Sequence, residues 1–131
     1  MASERAVLDV GNCGYDHGRL SRWLESLGSV RIVRAHSSHD ALAAIERQPF
    51  DLVIANRILE GDGSRGLDLL PAVRSARPEA RFLLLTDLAD KQAEALAAGV
   101  DGSFGKSRIG DPEATARLER LLHGEARGGS A

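Results

Sequence analysis

Hydrophobic positions along the chain switch repeatedly between a two-residue and a 3.6-residue rhythm. Residues 6–10 (AVLDV) form a short, mostly apolar, β-prone run that stops at Gly11. Leu20, Trp23, Leu24 and Leu27 then recur at i, i+3, i+4 and i+7, which predicts an amphipathic helix ended by Gly28. Residues 30–35 (VRIVRA) partly alternate and read as a strand with one wetter side, as at a sheet edge. Ser37-Ser38-His39-Asp40 resembles a capping box, with Asp in place of Glu, ahead of a short helix carrying Ala41, Leu42 and Ile45. Gln48-Pro49 closes that helix, because the residue before proline avoids the α region.

The second half repeats the alternation. Residues 51–56 (DLVIAN) and 81–86 (RFLLLT) are continuous apolar runs, as expected of strands buried on both faces. A polar, glycine-containing loop spans 57–65. The helical stretch 67–76 contains Pro71, which requires a late start near Asp68 or a kink. Residues 89–98 predict an alanine-rich helix capped by Gly99, with Leu96 its only large apolar residue and therefore weakly held. Residues 101–105 make a short fifth strand. Asp111-Pro112 opens a last helix whose apolar face is Ala114, Leu118, Leu121 and Leu122. Five strand–helix alternations imply parallel pairing with right-handed helical crossovers and helices on both sheet faces. In that architecture ligands bind beyond the carboxyl ends of the strands, which directs attention to Gly11, Asn12, His36, Asn56, Thr86, Gly105 and Lys106.

Composition narrows the classes of function. The chain has 131 residues, 43% hydrophobic and 27% charged, which fits one globular domain with a core of its own. That domain is expected over 1–123, with 124–131 (GEARGGSA) a flexible tail. A net charge of −2 provides no bulk field for nucleic acid or anionic membrane. No apolar run approaches the about 20 residues that span a bilayer, and the N-terminus lacks a signal-peptide core. A cytoplasmic location, without nucleic-acid or membrane partners, is the resulting expectation. The single cysteine, Cys13, excludes an intrachain disulfide. It stands near a helix N-terminus, a setting that favours a reactive thiol, although a buried small residue is the simpler reading.

These strand-end residues resemble those of the response-regulator receiver family, along nearly the whole chain. Residues 51–56 match the family's third-strand motif and place Asn56 on the phosphoacceptor aspartate. Leu83-Leu84-Leu85-Thr86 matches the switch-threonine motif, Ala97-Ala98-Gly99-Val100-Asp101-Gly102 the turn before the last strand, and Lys106 the family's lysine. The resemblance implies a doubly wound, flavodoxin-like α/β domain with strand order 2-1-3-4-5. It also implies partner contacts, or homodimerisation, through the face formed by the fourth helix, fifth strand and fifth helix, here Asp87 to Leu122.

The departures bear on chemistry. Gly11 and Asn12 fall where the family has its Mg²⁺-binding acids, and Asn56 replaces the nucleophile. Ser103 takes the aromatic switch position, and Ser107 takes that of the proline following the lysine. The loop after Asn56 is about two residues longer than the resemblance implies and carries Glu60-Gly61-Asp62-Gly63. An aspartyl phosphate requires a carboxylate nucleophile, and Mg²⁺ requires hard anionic oxygens. The expectation is a pseudo-receiver without enzymatic activity, metal or cofactor, acting by protein interaction in two-component signalling. Lys106 then needs another counter-charge, with Asp87, Asp16 and Glu60 the candidates, and Lys106, Asn56, Asn12 and Thr86 are expected to form one polar network.

Two other functions compete. The pocket around Lys106 and Thr86 could sense an anion or small metabolite. Alternatively, Asp9 could be a surviving acid in a conventional phosphorylated receiver, which would shorten the first strand to about three residues. Asp9 otherwise interrupts a central strand with no partner apparent in the sequence. The remaining features point to structure. His36 and His39 lack the further ligands of a zinc site. Asp16 reads as a helix N-cap beside His17. The 60–64 segment lacks the alternating ligands of a calcium loop and is expected to be a flexible acidic loop.

Overall fold

A computed structural model describes residues 4–124, so the tail expected over 124–131 lies, but for Gly124, outside the described residues. Five strands, β1 (Arg5–Val10), β2 (Val30–Ala35), β3 (Leu52–Asn56), β4 (Arg81–Leu85) and β5 (Gly102–Phe104), form one parallel sheet in the order β2-β1-β3-β4-β5. Five helices cross between and after them: α1 (Gly14–Glu25), α2 (Ser38–Arg47), α3 (Leu70–Ala76), α4 (Ala89–Ala98) and α5 (Pro112–His123). The doubly wound fold expected from the alternating pattern is present.

Strand alternation distributes the core to two layers. Leu8, Val10, Val53, Ala55, Phe82 and Leu84 pack with α2, α3 and Ala95 of α4. Val7, Leu52, Ile54, Leu83 and Leu85 pack on the other side with α1 and α5. There Trp23 meets Phe104 edge-on at 5.8 Å, and its indole N–H donates to Thr115 Oγ1 at 2.9 Å, tying α1 to α5. Edge strand β2 is half-wet, as its interrupted pattern requires.

Several local expectations change. The proline constraint is met by a 3-10 helix, Gly66–Leu69, that precedes α3 and puts Pro71 in the first turn, where a missing N–H costs nothing. The N-cap of α1 is Cys13, and Asp16 sits inside the first turn. On α4 the buried residue is Ala95, while Leu96 is 54% exposed and Leu88 47% exposed. A helix that buries one alanine turns its largest side chains outward.

Candidate functional site

The strand-end region is built around Gly11. Its φ of +75° is left-handed, and a Cβ there would stand 2.5 Å from Leu59 Cδ2 and 2.7 Å from Leu59 Cα. Conformation and space both exclude a side chain at this position. Leu59 itself is fully buried in the core, so the volume beside Gly11 is already filled.

Leu59 is held there by the loop that follows β3. Ile58 and Arg65 form an antiparallel bridge, Leu59 N–H donates to Ser64 O at 2.8 Å, and Gly63 N–H donates to Leu59 O at 2.8 Å. The loop is also fastened to its surroundings, with Glu60 N–H on Gly11 O at 3.0 Å and Gly61 N–H on His36 O at 2.8 Å. Asp62 accepts from the backbone N–H and hydroxyl of both Ser38 and Ser64, at 2.6 to 3.0 Å. The Ser64 hydroxyl is the strongest of the donors that hold the Asp62 carboxyl well below the usual carboxylate range. The expected flexible acidic segment is therefore a cross-linked loop, because serines on both sides of Asp62 supply it with donors.

Asn56 stands between this loop and β1. Its Nδ2 donates to Ile58 O at 2.8 Å and Gly11 O at 3.3 Å, while its Oδ1 accepts from Arg57 N–H at 3.1 Å. The Arg57 N–H can meet only an oxygen, and the two carbonyls only a donor, so the amide has one allowed orientation.

The single polar network expected of Lys106, Asn56, Asn12 and Thr86 is absent; each is bonded elsewhere. Lys106 Nζ pairs with Asp16 Oδ2 at 2.7 Å, across to α1. Burial pushes the Asp16 carboxyl up, but hydrogen bonds from Lys106 and Cys13 and the charges of Lys106 and Arg19 outweigh it and hold the group low. Of the three candidate counter-charges only Asp16 is used. Asp87 Oδ1 instead accepts from the Ser107 hydroxyl at 2.5 Å and its N–H at 3.3 Å, and a Cβ on Gly105 would overlap that oxygen. Glu60 is exposed and makes no ion pair among the described residues. Thr86 Oγ1 accepts from Leu88 N–H at 3.1 Å, which shapes the entry to α4. Ser103 is buried and donates to Leu84 O at 2.9 Å.

The residue that sequence reasoning left without a partner turns out to organise a second cluster. Asp9 lies within a full six-residue β1, and only 1% of it is exposed. Its Oδ1 accepts from Asn12 Nδ2 at 2.6 Å and its Oδ2 meets His17 Nδ1 at 2.6 Å. Ser21 Oγ lies 3.5 Å from His17 Nε2. The available signal was the pairing of an otherwise costly strand carboxylate with the only imidazole on the following helix turn. Cys13 is half-buried with Sγ 3.4 Å from Asp16 Oδ2, and His36 and His39 are exposed. No three His, Cys, Asp or Glu side chains among the described residues are grouped to hold a metal ion.

Fold and site together define an open, doubly wound α/β domain whose polar residues gather beyond the carboxyl ends of β1, β3, β4 and β5. Solved response-regulator receivers share this fold. A putative response regulator from Chloroflexus aurantiacus J-10-fl superposes with a TM-score of 0.78 at 22% identity, covering 92% of this chain and 98% of that one. A CheY-like receiver domain protein from Methanospirillum hungatei JF-1 gives 0.75 at 23% identity, covering 91% and 94%. The receiver domain of a sensor histidine kinase from Pseudomonas aeruginosa PAO1, with magnesium coordinated in its active-site cleft, gives 0.68 at 21% identity, covering 92% and 95%. No family model matches the sequence, and neither does any curated protein.

Proposed function

We propose that this chain is an atypical receiver that works in two-component signalling as a protein-interaction module, without aspartyl phosphorylation. The observation that carries this reading is the hydrogen bonding of Asn56, whose two amide protons are spent on Gly11 O and Ile58 O. Beside it, Leu59 fills the space an acid at position 11 would need. Asn12 turns its amide nitrogen to Asp9, and both Asp9 oxygens are engaged on the α1 side. The donor set therefore does not fit Mg²⁺, which takes one or two carboxylates, and no step is routed through that ion. With Lys106 held by Asp16, the anion-sensor reading loses the free cation it requires.

Contacts with a partner are assigned to the face of α4, β5 and α5 between Asp87 and Leu122. Leu88 and Leu96 stand exposed there, and Leu96 lines a groove with Phe104, Arg117, Arg120 and Leu121. The absence of a phosphoacceptor is tested by incubation with acetyl phosphate and Mg²⁺ followed by intact-mass analysis. An unmodified chain is expected; an alkali-labile, Mg²⁺-dependent acyl phosphate would overturn the reading. The interface is tested by co-purification from the native cell with wild type and a Leu88→Ser, Leu96→Ser variant, and an unchanged partner set would remove it.

A further inference from the structure

The buried Asp9 carboxylate does more than end up satisfied: it fixes an imidazole. At 2.6 Å from a carboxylate oxygen, His17 Nδ1 carries the proton. The neutral ring then keeps its lone pair on Nε2, the nitrogen that faces Ser21 Oγ rather than the core. Asn12 holds the other Asp9 oxygen at 2.6 Å, so the carboxylate cannot turn away. Its other amide atom, Asn12 Oδ1, is buried and has no hydrogen-bond partner among the described residues. A carboxylate behind one ring nitrogen fixes the tautomer and the orientation of the ring, so the other nitrogen is presented in one direction. The His17 side chain keeps 26% of its surface exposed, so the ring is open to solvent in part.

We propose that His17 Nε2 is a nucleophilic site for phosphoryl transfer, with Asp9 its positioning residue. The Nε2 lone pair attacks the phosphorus of a donor with a P–N bond. The new N–P bond forms as the donor's P–N bond breaks, and the departing amine leaves with the bonding electrons. The ring becomes a phosphorylated imidazolium that retains its Nδ1 proton, and its positive charge is met by Asp9. Ser21 is placed to donate its hydroxyl to a phosphoryl oxygen. Arg34, the register partner of Asp9 on β2, puts a guanidinium on the same side of the sheet, where its Nη2 reaches Asn12 O at 3.1 Å. Its product differs chemically from an acyl phosphate.

The chain supplies its own controls, because it has 4 histidines. His36 and His39 are more exposed than His17. His123 lies 3.0 Å through Nε2 from Leu27 O, so its Nε2 carries the proton and is spent. The test is incubation of the full chain with potassium phosphoramidate, without Mg²⁺, and time-resolved mapping of the acid-labile, alkali-stable phosphoryl group by fragment mass spectrometry. His17 is expected to be labelled first, ahead of the more exposed His36 and His39, and the label is expected to be lost in His17→Gln. Asp9→Asn is expected to remove the lead of His17 over His36 and His39 while those two keep their rates. Labelling that follows exposure in the wild type would overturn the proposal, as would a chain in which His17 stays unmodified. The wild-type order decides the matter even if Asp9→Asn does not fold.

Discussion

Replacing Asn56 by aspartate would put a carboxylate at the end of β3, where the surroundings predict a damaged domain. Two amide protons now point at Ile58 O and Gly11 O at 2.8 and 3.3 Å. An ionised carboxylate has no proton to offer and turns lone pairs toward both carbonyls, while the Arg57 N–H contact survives. Two lost hydrogen bonds at about 1 kcal/mol each, with lone-pair repulsion offset by relief from water at a half-exposed site, put the loss near 2 kcal/mol at neutral pH. For a chain between the usual size classes, about 4 °C per kcal/mol makes that roughly 8 °C in Tm. The sign with pH is definite. The facing carbonyls disfavour the charged form, so the folded pKa of the new carboxyl lies above its unfolded value of about 4. Once protonated, the introduced carboxyl recovers one donor, so the deficit is smallest below about pH 4 and grows as pH rises through the raised folded value. Thermal unfolding of wild type and Asn56→Asp, monitored by circular dichroism from acid to neutral pH, measures the difference directly. Equal stability at neutral pH, or a gap that narrows as pH rises, would refute the assignment of Asn56. The variant is also expected to remain unphosphorylated by acetyl phosphate and Mg²⁺.

Other consequences are open to simpler measurements. Gly11→Ala forces a left-handed backbone on a residue with a Cβ and drives that atom into Leu59, so a loss of about 2–4 kcal/mol is expected in urea unfolding. Leu59→Ala empties a fully buried site at an expected cost of about 2–5 kcal/mol. His17→Leu strands the Asp9 carboxylate and is expected to cost about 3–5 kcal/mol, whereas the double variant Asp9→Leu, His17→Leu recovers much of that, as a cycle of unfolding curves will read. Lys106→Met removes the main partner of a carboxyl held low. Its destabilisation is expected to be present above the unfolded Asp16 value and to fade as pH falls through the folded one, the opposite sense to Asn56→Asp.

Most of the architecture was legible because each strand–helix pair states its own period. Buried strands such as 52–56 and 81–85 read as unbroken apolar runs, and helices such as α5 announced themselves by Asp111-Pro112 and an i, i+4, i+7 stripe. Element ends were less legible because they depend on capping geometry. Nothing in the composition of residues 13–16 says that Cys13 rather than Asp16 stands at the cap. The candidate site was legible as a set of positions and illegible as a set of bonds. Lys106 could reach three carboxylates by sequence, and only the placement of α1 beside β5 selects Asp16. Asp9 could be recognised as misplaced, but its partner required knowing that the first turn of α1 lies over β1.

The constraints on positions 11 and 56 have one structural origin in the loop packed between them. Its inner bridge brings Leu59 down against Gly11, and the same descent presents Ile58 O to the Asn56 amide. A carboxylate at either position opposes that loop: at 11 it overlaps Leu59, and at 56 it faces Ile58 O. The loop is in turn held by Asp62 through Ser38 at the start of α2 and by Gly61 against His36 O, where a Cβ would approach to 2.4 Å. Restoring one acid therefore sets it against a cross-linked segment anchored on two other elements. Shortening the loop would remove Leu59 and the Ile58 carbonyl together, and it would also open a hole in the layer where Leu59 packs. Acids at both positions thus require the loop and the core beneath it to change with them, since each change alone is opposed by contacts the others maintain.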